Sequence, residues 1–301
     1  MTMSHLPEPP FGRALCAMIT PFTGDGAPDL DGARKLAAHL VAEGCDGLVL
    51  NGTSGESPTT TDAEKTALVA AVREEIGASA SIVAGVGSAS TRHTVELARA
   101  AEGAGADGLL VVTPYYSRPP QAAVEAHFRE VADAVGIPLM LYDIPGRTGT
   151  RITPATMVRL ADHPRIVAVK DCAYDLLGSG KVLADTSLAY YAGCEELNLP
   201  LYAIGGAGFV STVANIAPGP LRAVLDAHDA GRPDEAARLH RLTLPLTELM
   251  MASGLPGTVT AKALLAALGL PSGAVRAPLQ PADRETVDGL LAAYEQLRSA
   301  W

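Results

Sequence analysis

Apolar residues recur along the first two thirds of the chain in short runs of four to eight residues. Each run is too short for a helix and too uniformly apolar for a strand with one face in water. Such runs are typical of strands that are covered on both faces, as in a parallel sheet flanked by helices. We therefore predict eight strands, at residues 14–19, 47–50, 81–86, 108–112, 138–142, 166–169, 188–191 and 203–210.

Alanine-rich stretches with helical periodicity lie between these runs, and several carry helix-start signals. Thr61 and Glu64 have the spacing of a capping box, and Pro154 stands where a first-turn proline is expected. The predicted helices of this part are 29–43, one from Thr61, 90–104, 119–135 and one from Thr153. Beyond about Pro218 only helical patterns remain, at 221–230, 233–253, 258–268 and 283–298.

This alternation of strands and helices predicts an α/β protein built from βα repeats around a parallel sheet. Segment 43–50 resembles segment 104–111, because each combines a helix end, a glycine and a buried strand. Eight such units indicate a (β/α)8 TIM barrel with a C-terminal helical extension. The alternative is an open doubly wound sheet, but that fold normally has a nucleotide-binding glycine loop where residues 19–22 read Ile-Thr-Pro-Phe. We divide the chain into an N-terminal arm (1–12), a catalytic barrel (13–225) and a C-terminal helical region (226–301).

Composition and charge narrow the classes of function. The chain has 301 residues and is 48% apolar, so a large core is available and extensive disorder is excluded. Its net charge is −10 without a basic block, which argues against nucleic-acid and anionic-membrane partners. No apolar run approaches the ~18 residues of a membrane span. The four cysteines form no CxxC pair and the seven histidines have no ligand spacing, so we predict a reduced, cytoplasmic protein without a metal site.

In a barrel, catalytic residues are expected at the carboxyl ends of the strands, and one lysine stands there. Lys170 ends the buried run 166–169, whereas the other four lysines lie in polar or helical surroundings. Burial lowers the pKa of a lysine in general, and a neutral amine attacks a carbonyl carbon to form a Schiff base. The alternative is a structural lysine that pairs with Asp171 at the rim of the barrel.

Further polar residues follow the neighbouring strands. Tyr142 ends the fifth run and could transfer protons, or it could simply fill the core. Arg147 follows on the next loop, where a guanidinium could bind a carboxylate or form a surface salt bridge. The loop 51–57 has two glycines and adjacent hydroxyls that suit a small anion, or it is only an entry to the next helix. For glycines 205, 206 and 208 we prefer close backbone packing over a phosphate loop.

Taken together, these motifs resemble the dihydrodipicolinate synthase / N-acetylneuraminate lyase family of class I aldolases. The resemblance spans nearly the whole chain, from about Gly12 to the C-terminal helices. It rests on four segments that occur in order and at barrel spacing: GTSGES at 52–57, PYYSRP at 114–119, YDIPGRT at 142–148 and VAVKD at 167–171. Four segments in this order are far more specific than any single short pattern.

The resemblance implies a pyruvate-binding barrel that works through an imine on Lys170, which replaces any metal or organic cofactor. In this arrangement Tyr142 moves protons. Thr53 links Tyr142 to Tyr116, which comes from a neighbouring subunit. Because Tyr116 is shared in this way, the family implies a homo-oligomer, usually a tetramer built as a dimer of dimers.

The resemblance also implies how the substrates bind. Ser54, with Thr53, holds the pyruvate carboxylate, and the backbone around Gly193 and Val210 lines the rest of the pocket. Arg147 is typical of members that condense pyruvate with L-aspartate 4-semialdehyde. The implied product is 4-hydroxy-tetrahydrodipicolinate, at the entry to lysine and diaminopimelate biosynthesis.

Two departures from the family pattern keep other hypotheses open. Gly193-Cys194-Glu195-Glu196 replaces a more usual Gly-Asp-Asp segment, and its extra carboxylate favours an aldolase or lyase for a hydroxylated 2-keto acid, although Arg147 opposes this hypothesis. Ala89 and His93 stand where lysine-inhibited members have an asparagine and an acidic residue, so we expect weak or absent inhibition by lysine. Besides the pyruvate-condensing enzyme and this aldolase or lyase, a third hypothesis is a protein that is not an enzyme, namely a barrel that only binds a keto acid.

Overall fold

The computed structural model describes residues 9–301, in which the strands form one closed parallel barrel. The strands are β1 Ala14–Ala17, β2 Gly47–Leu50, β3 Ser81–Gly85, β4 Gly108–Val112, β5 Leu139–Asp143, β6 Ile166–Asp171, β7 Ala189–Ala192 and β8 Gly208–Ser211. They are hydrogen-bonded in sequence order, and β8 pairs with β1. This closure confirms the predicted TIM barrel and excludes the open doubly wound sheet.

The eighth strand begins later than the sequence predicted. We expected it from residue 203, but the chain is helical up to Ala203 and β8 starts at Gly208. Gly205 has a φ of +108°, and its amide donates to the Tyr202 carbonyl oxygen at 3.0 Å, so the chain completes a turn first. A Cβ on Gly206 would lie 2.8 Å from the Leu201 carbonyl oxygen, which supports the interpretation that these glycines serve close packing.

Helices follow the strands around the outside of the barrel. They are α1 Leu30–Ala42, α2 Asp62–Ile76, α3 Thr91–Gly103, α4 Gln121–Asp133, α5 Pro145–Thr148, α6 Pro154–Leu160, α7 Leu176–Asp185, α8 Asn198–Ala203 and α9 Pro218–Asp229. The capping box is present, because the Thr61 hydroxyl accepts from the Glu64 amide and the Glu64 carboxylate accepts from the Thr61 amide. The sequence did not predict α7, whose two glycines lower its helix propensity, or the short α8.

Three longer helices complete the chain: α10 Pro233–Met251, α11 Gly257–Ala267 and α12 Arg284–Ala300. Helix α10 packs against α9 and α12, so the extension continues the outer layer of the barrel. Our boundary at residues 225 and 226 lies inside α9, and residues 1–8 of the predicted arm lie outside the described residues. The proposed division into domains therefore stays a prediction. Within residues 9–301, no helix is long and apolar enough to span a membrane.

Two apolar layers hold the barrel together. The larger layer fills the space between strands and helices, with Leu36, Leu68 and Phe128 fully buried. The smaller layer fills the inside of the barrel, where Leu15, Met140 and other side chains pack on one another. Because side chains of a strand alternate between these layers, every second residue at a strand end points into the barrel mouth.

Candidate active site

A cavity of about 360 Å³ opens at the carboxyl ends of the strands. Six of the eight predicted site residues line it: Thr53, Ser54, Tyr142, Arg147, Lys170 and Gly193. They come from the loops and ends of β2, β5, β6 and β7, so closure of the barrel brings together residues that are far apart in the sequence. The location matches the end of a TIM barrel at which active sites lie.

Lys170 and Tyr142 form the centre of this cavity. They are register partners on the adjacent strands β6 and β5, and the Lys170 Nζ lies 4.6 Å from the centroid of the Tyr142 ring. Both side chains are buried, with 5% and 4% of their surface exposed. Within residues 9–301, the Lys170 amine has no hydrogen bond and no carboxylate partner. The amine therefore remains available to an incoming carbonyl group.

The rim salt bridge that we considered for Lys170 does not form. Asp171 points to the outer side of β6, where its carboxylate accepts from the Ser179 hydroxyl at 2.6 Å and from the Ala173 amide at 2.7 Å. Burial alone does not single out Lys170, because Lys65 and Lys262 are buried too. Its place at a strand end facing the cavity is what distinguishes it.

The groups around Tyr142 set the pKa of its hydroxyl. Burial raises the pKa of the Tyr142 phenol well above its usual value, and the Cys172 thiol adds to this rise. The Thr53 hydroxyl and the Arg147 guanidinium lower the pKa of Tyr142, because both favour the phenolate. A tyrosine held protonated beside an amine, with a hydroxyl and a cation at hand, can give and retake a proton.

The loop after β2 carries the anion-binding candidates. The Ser54 hydroxyl hydrogen-bonds the Thr212 hydroxyl at 2.8 Å, so its orientation is defined by the end of β8. The loop is bracketed by Asn51 and Glu56, two non-glycine residues with φ values of 56° and 57°. Left-handed backbone at such residues costs about 1–3 kcal/mol each, so other contacts must hold the loop in this shape.

Gly193 is required beside the lysine. A Cβ at this position would overlap the Cys172 Sγ and would lie 3.0 Å from the Lys170 Cε. Glycine therefore gives the Lys170 side chain room to extend along β7. Any larger residue would displace the amine or the thiol.

Two predicted residues lie outside this cavity. Val210 is fully buried inside the barrel, in the apolar layer that contains Tyr142, and supports the site from below. Tyr116 is 95% exposed and has a φ of 72°, on the loop between β4 and α4. It does not contribute to the cavity of its own chain.

The cavity also contains residues that sequence reasoning missed. Cys172, Tyr174, Cys194 and Thr212 all line it. Cys172 could have been found from the strand period of two, because it follows Lys170 by two positions and so shares its face. Cys194 neighbours Cys172, which lowers the pKa of the Cys194 thiol and raises that of the Cys172 thiol.

The glutamates after β7 do not form the extra carboxylate site that we considered. Glu195 is buried and turned toward the end of β8, where its carboxylate accepts from the Ser211 hydroxyl at 3.0 Å and the Thr212 amide at 2.7 Å. Glu196 accepts a hydrogen bond from the Tyr174 hydroxyl at 2.8 Å. Glu195 therefore has a structural role, and the observation that favoured a hydroxylated substrate loses most of its weight.

A family model described as the dihydrodipicolinate synthetase family matches residues 10–297. The chain belongs to this family. It is 76% identical over 288 residues to 4-hydroxy-tetrahydrodipicolinate synthase 1 of Streptomyces coelicolor, with 96% of this chain and 94% of the relative covered. It is 56% identical to 4-hydroxy-tetrahydrodipicolinate synthase of Acidothermus cellulolyticus, with 95% and 92% covered. The family predicted from the four sequence motifs is confirmed, and the relatives carry the name of the predicted activity.

Solved structures of this family have the same fold. Dihydrodipicolinate synthase from Cyanidioschyzon merolae with lysine bound superposes with a TM-score of 0.93 at 36% identity, covering 96% of this chain and 99% of the other. A protein described as the first monomeric dihydrodipicolinate synthase variant gives a TM-score of 0.92 at 29% identity, with 96% and 97% covered. Across the described residues, no cluster of side chains suited to a metal ion is found.

Proposed function

We propose that this dihydrodipicolinate synthetase family member is a lyase that condenses pyruvate with L-aspartate 4-semialdehyde to give 4-hydroxy-tetrahydrodipicolinate. The observation that carries the proposal is the meeting of Lys170, Tyr142, Thr53, Ser54 and Arg147 in one cavity. This set contains a nucleophile, a proton carrier, hydroxyls for one carboxylate and a cation for a second. The product is the entry to lysine and diaminopimelate biosynthesis.

The reaction begins at Lys170. Its amine attacks the keto carbon of pyruvate, and water leaves to form an imine. Loss of a proton from the pyruvate methyl group then gives an enamine, whose carbon attacks the aldehyde carbon of the second substrate. The amino group of that substrate displaces Lys170 from the imine, which closes the ring and frees the enzyme. The imine serves as the electron sink, so we propose that no metal or organic cofactor is needed.

The other residues bind and move protons. Tyr142 donates and accepts protons at the attacked carbons, through the Thr53 hydroxyl beside it. Thr53 and Ser54 hold the pyruvate carboxylate, while the backbone of Gly193 and the buried Val210 shape the pocket. Arg147 is exposed at the mouth, where its guanidinium can receive the carboxylate of the aldehyde substrate.

We also propose that the enzyme works as a homo-oligomer in the cytoplasm. Tyr116 projects away from its own cavity with 95% of its surface exposed, which suits a residue that enters the cavity of a neighbouring copy. A tetramer made of two such dimers is the assembly we expect. Its partners are then small-molecule substrates and further copies of the chain, without nucleic acid or membrane.

The first experiment is a steady-state assay with pyruvate and L-aspartate 4-semialdehyde, coupled to a reductase that oxidises NADPH when the cyclic product forms. Turnover should fall about 10²- to 10³-fold in kcat/KM in Arg147→Ala, because a charge-assisted contact to the substrate is lost. Arg92→Ala is the matched control, since Arg92 is exposed on α3.

Two outcomes would contradict parts of this proposal. Pyruvate that borohydride traps on Lys170 without turnover of the semialdehyde would keep the imine chemistry and discard the second substrate. Failure to trap pyruvate at all would favour a non-catalytic barrel that only binds a keto acid.

A further inference from the structure

A buried ion cluster lies behind the loop that carries Thr53 and Ser54, outside the cavity. Glu56 at the end of this loop pairs with Lys262 of helix α11 at 2.6 Å, and both side chains are at most 2% exposed. The second oxygen of the Glu56 carboxylate accepts from the Arg276 amide at 2.8 Å. The loop is therefore joined to the C-terminal helical region by a fully buried carboxylate.

The cluster extends around one aromatic ring. The Lys262 Nζ lies 4.0 Å from the centroid of the Phe22 ring, and the Arg276 guanidinium lies 4.2 Å from it. Arg276 also binds Glu64 of helix α2 at 2.6 Å and the Thr59 carbonyl oxygen at 2.7 Å. These contacts tie the segment that follows the loop to the same anchor.

The loop is also held from the barrel side, because the Thr20 hydroxyl donates to the Gly55 carbonyl oxygen at 2.7 Å and the Ser54 hydroxyl pairs with that of Thr212. Glu56 has left-handed backbone, which a non-glycine residue adopts only when its surroundings impose it. A second contact from the same extension reaches the loop directly, because the Thr258 hydroxyl of α11 donates to the Thr53 carbonyl oxygen at 3.3 Å. The conformation that presents the Thr53 and Ser54 hydroxyls thus depends in part on residues from 258 to 276.

A buried ion pair is a poor way to gain stability, since well-packed apolar residues of similar volume stabilise as much or more. Its value lies in directional contacts that select one geometry. We propose that Glu56 is a positioning residue for substrate binding: anchored by Lys262 and the Arg276 amide, it holds the Thr53–Ser54 loop in the shape that receives the keto-acid carboxylate. This inference rests on the proposed function of that loop.

One consequence concerns the C-terminal region. Helix α11 touches the substrate loop through Lys262, which lies outside the cavity, and through Thr258, which also lines the cavity. The extension is then part of the binding site and not only a cover for the barrel. Substitutions in α11 should therefore change the KM for pyruvate more than they change kcat.

The test compares variants that remove the anchor with and without leaving a buried charge. Glu56→Gln alone leaves Lys262 unpaired and is expected to lower the melting temperature. Glu56→Met with Lys262→Met removes the ion pair and also the acceptor of the Arg276 amide, while it keeps the packing and leaves no unpaired buried charge. Glu56→Asp keeps the charge on a shorter side chain. Glu125→Gln is the control, because Glu125 pairs with Arg159 on the outer side of the barrel.

The expected result is a split between binding and chemistry. In the double variant the KM for pyruvate should rise about tenfold while kcat stays within about twofold, and Glu56→Asp should give an intermediate KM. The pyruvate concentration needed for half-maximal borohydride trapping should rise in parallel. Glu125→Gln should match the wild type in both measurements.

A wild-type KM in the folded double variant would overturn the inference, since the cluster would then serve stability alone. A fall in kcat with unchanged KM would overturn it too, because the loop would then act on the chemical step. Loss of trapping in the wild type would instead count against the proposed function, so the two failures are distinguishable.

Discussion

The two ends of the barrel are built in opposite ways. At the amino ends of the strands Phe11 fills the interior, its carbonyl oxygen accepts from the Ser81 hydroxyl at 2.7 Å, and the Tyr191 hydroxyl donates to the Gly12 carbonyl oxygen at 2.9 Å. At the carboxyl ends the interior opens into the cavity with Lys170. One end is closed by packed and hydrogen-bonded side chains, and the other leaves the Lys170 amine without a hydrogen-bond partner among the described residues.

Two aspartates show the same contrast. At the closed end, burial favours the neutral form of Asp46, but hydrogen bonds from Arg222 and from the backbone amides of Ala14 and Arg13 outweigh it and lower the pKa. At the open end, burial raises the pKa of Asp143 to about 7, and its neighbour Asp171 adds to this rise. The difference teaches that the closed end compensates its buried charge, while at the open end the Ile152 amide and Arg151 compensate the charge of Asp143 only in part.

The largest expected effect is the loss of chemistry in Lys170→Ala. Turnover should fall about 10³-fold or more and borohydride trapping of pyruvate should disappear, because no other amine lines the cavity in the described residues. The melting temperature should stay the same or rise, since a buried amine without a partner is removed. Lys35→Ala on α1 is the control, and trapping that persists in Lys170→Ala would show that another residue is the nucleophile.

The next largest expected effect is a loss of stability when packing is removed at the closed, amino-terminal end of the barrel. Phe11→Ala should lower the free energy of unfolding by about 3–5 kcal/mol, because it leaves a cavity in place of a ring that is only 2% exposed. Denaturant titration measures this, and kcat of the folded variant should stay near the wild-type value. A variant that keeps its stability but loses activity would contradict the division of roles between the two ends.

The two aspartates should respond to pH with opposite sign. The pKa of Asp143 is about 7 in the folded protein against an ordinary 3.8, so the folded state binds more protons between these values and stability falls as pH rises through them. Asp143→Asn should therefore gain on the order of 1–3 kcal/mol over the wild type at pH 8 and little at about pH 4. Melting curves at both pH values measure the difference.

Asp46→Asn is the matched counterpart. Its lowered pKa stabilises the fold above the ordinary value for aspartate, so the substitution should destabilise at neutral pH by about 1–3 kcal/mol. If the stability difference from the wild type changed with pH in the same direction for both variants, the contrast between the two ends would be contradicted.

The smallest expected effect is that of lysine. A neighbouring cavity of about 430 Å³, which shares Thr53, Tyr142 and Arg147 with the first, is also lined by His93. The His93 Nε2 lies 2.8 Å from the Asp62 carboxylate and its Nδ1 lies 3.2 Å from the Ser88 hydroxyl. Because His93 is already hydrogen-bonded to Asp62 and Ser88, and residue 89 is an alanine, we expect L-lysine at about 1 mM to change turnover by less than about twofold. Half-inhibition below that concentration would contradict this. Ala89→Asn with His93→Glu should increase the inhibition.

Much of the site could be predicted from strand ends. Lys170 and Tyr142 each end an apolar run, and the alternation of side chains places both inside the barrel mouth. Cys172 follows from the same alternation. Glu195 could not be predicted, because its direction is set by the Ser211 hydroxyl and the Thr212 amide, which approach only when β7 and β8 pair.

The sequence by itself determined the positions of seven strands, most of the longer helices and the family, since local patterns of apolar residues, caps and short motifs encode them. Only the tertiary structure decided that Glu56 meets Lys262 and that Asp143 stands beside Asp171. These contacts join residues through the closure of the barrel and the face each side chain takes. The closure of the barrel and the direction of each side chain cannot be read from how far apart the residues lie along the chain.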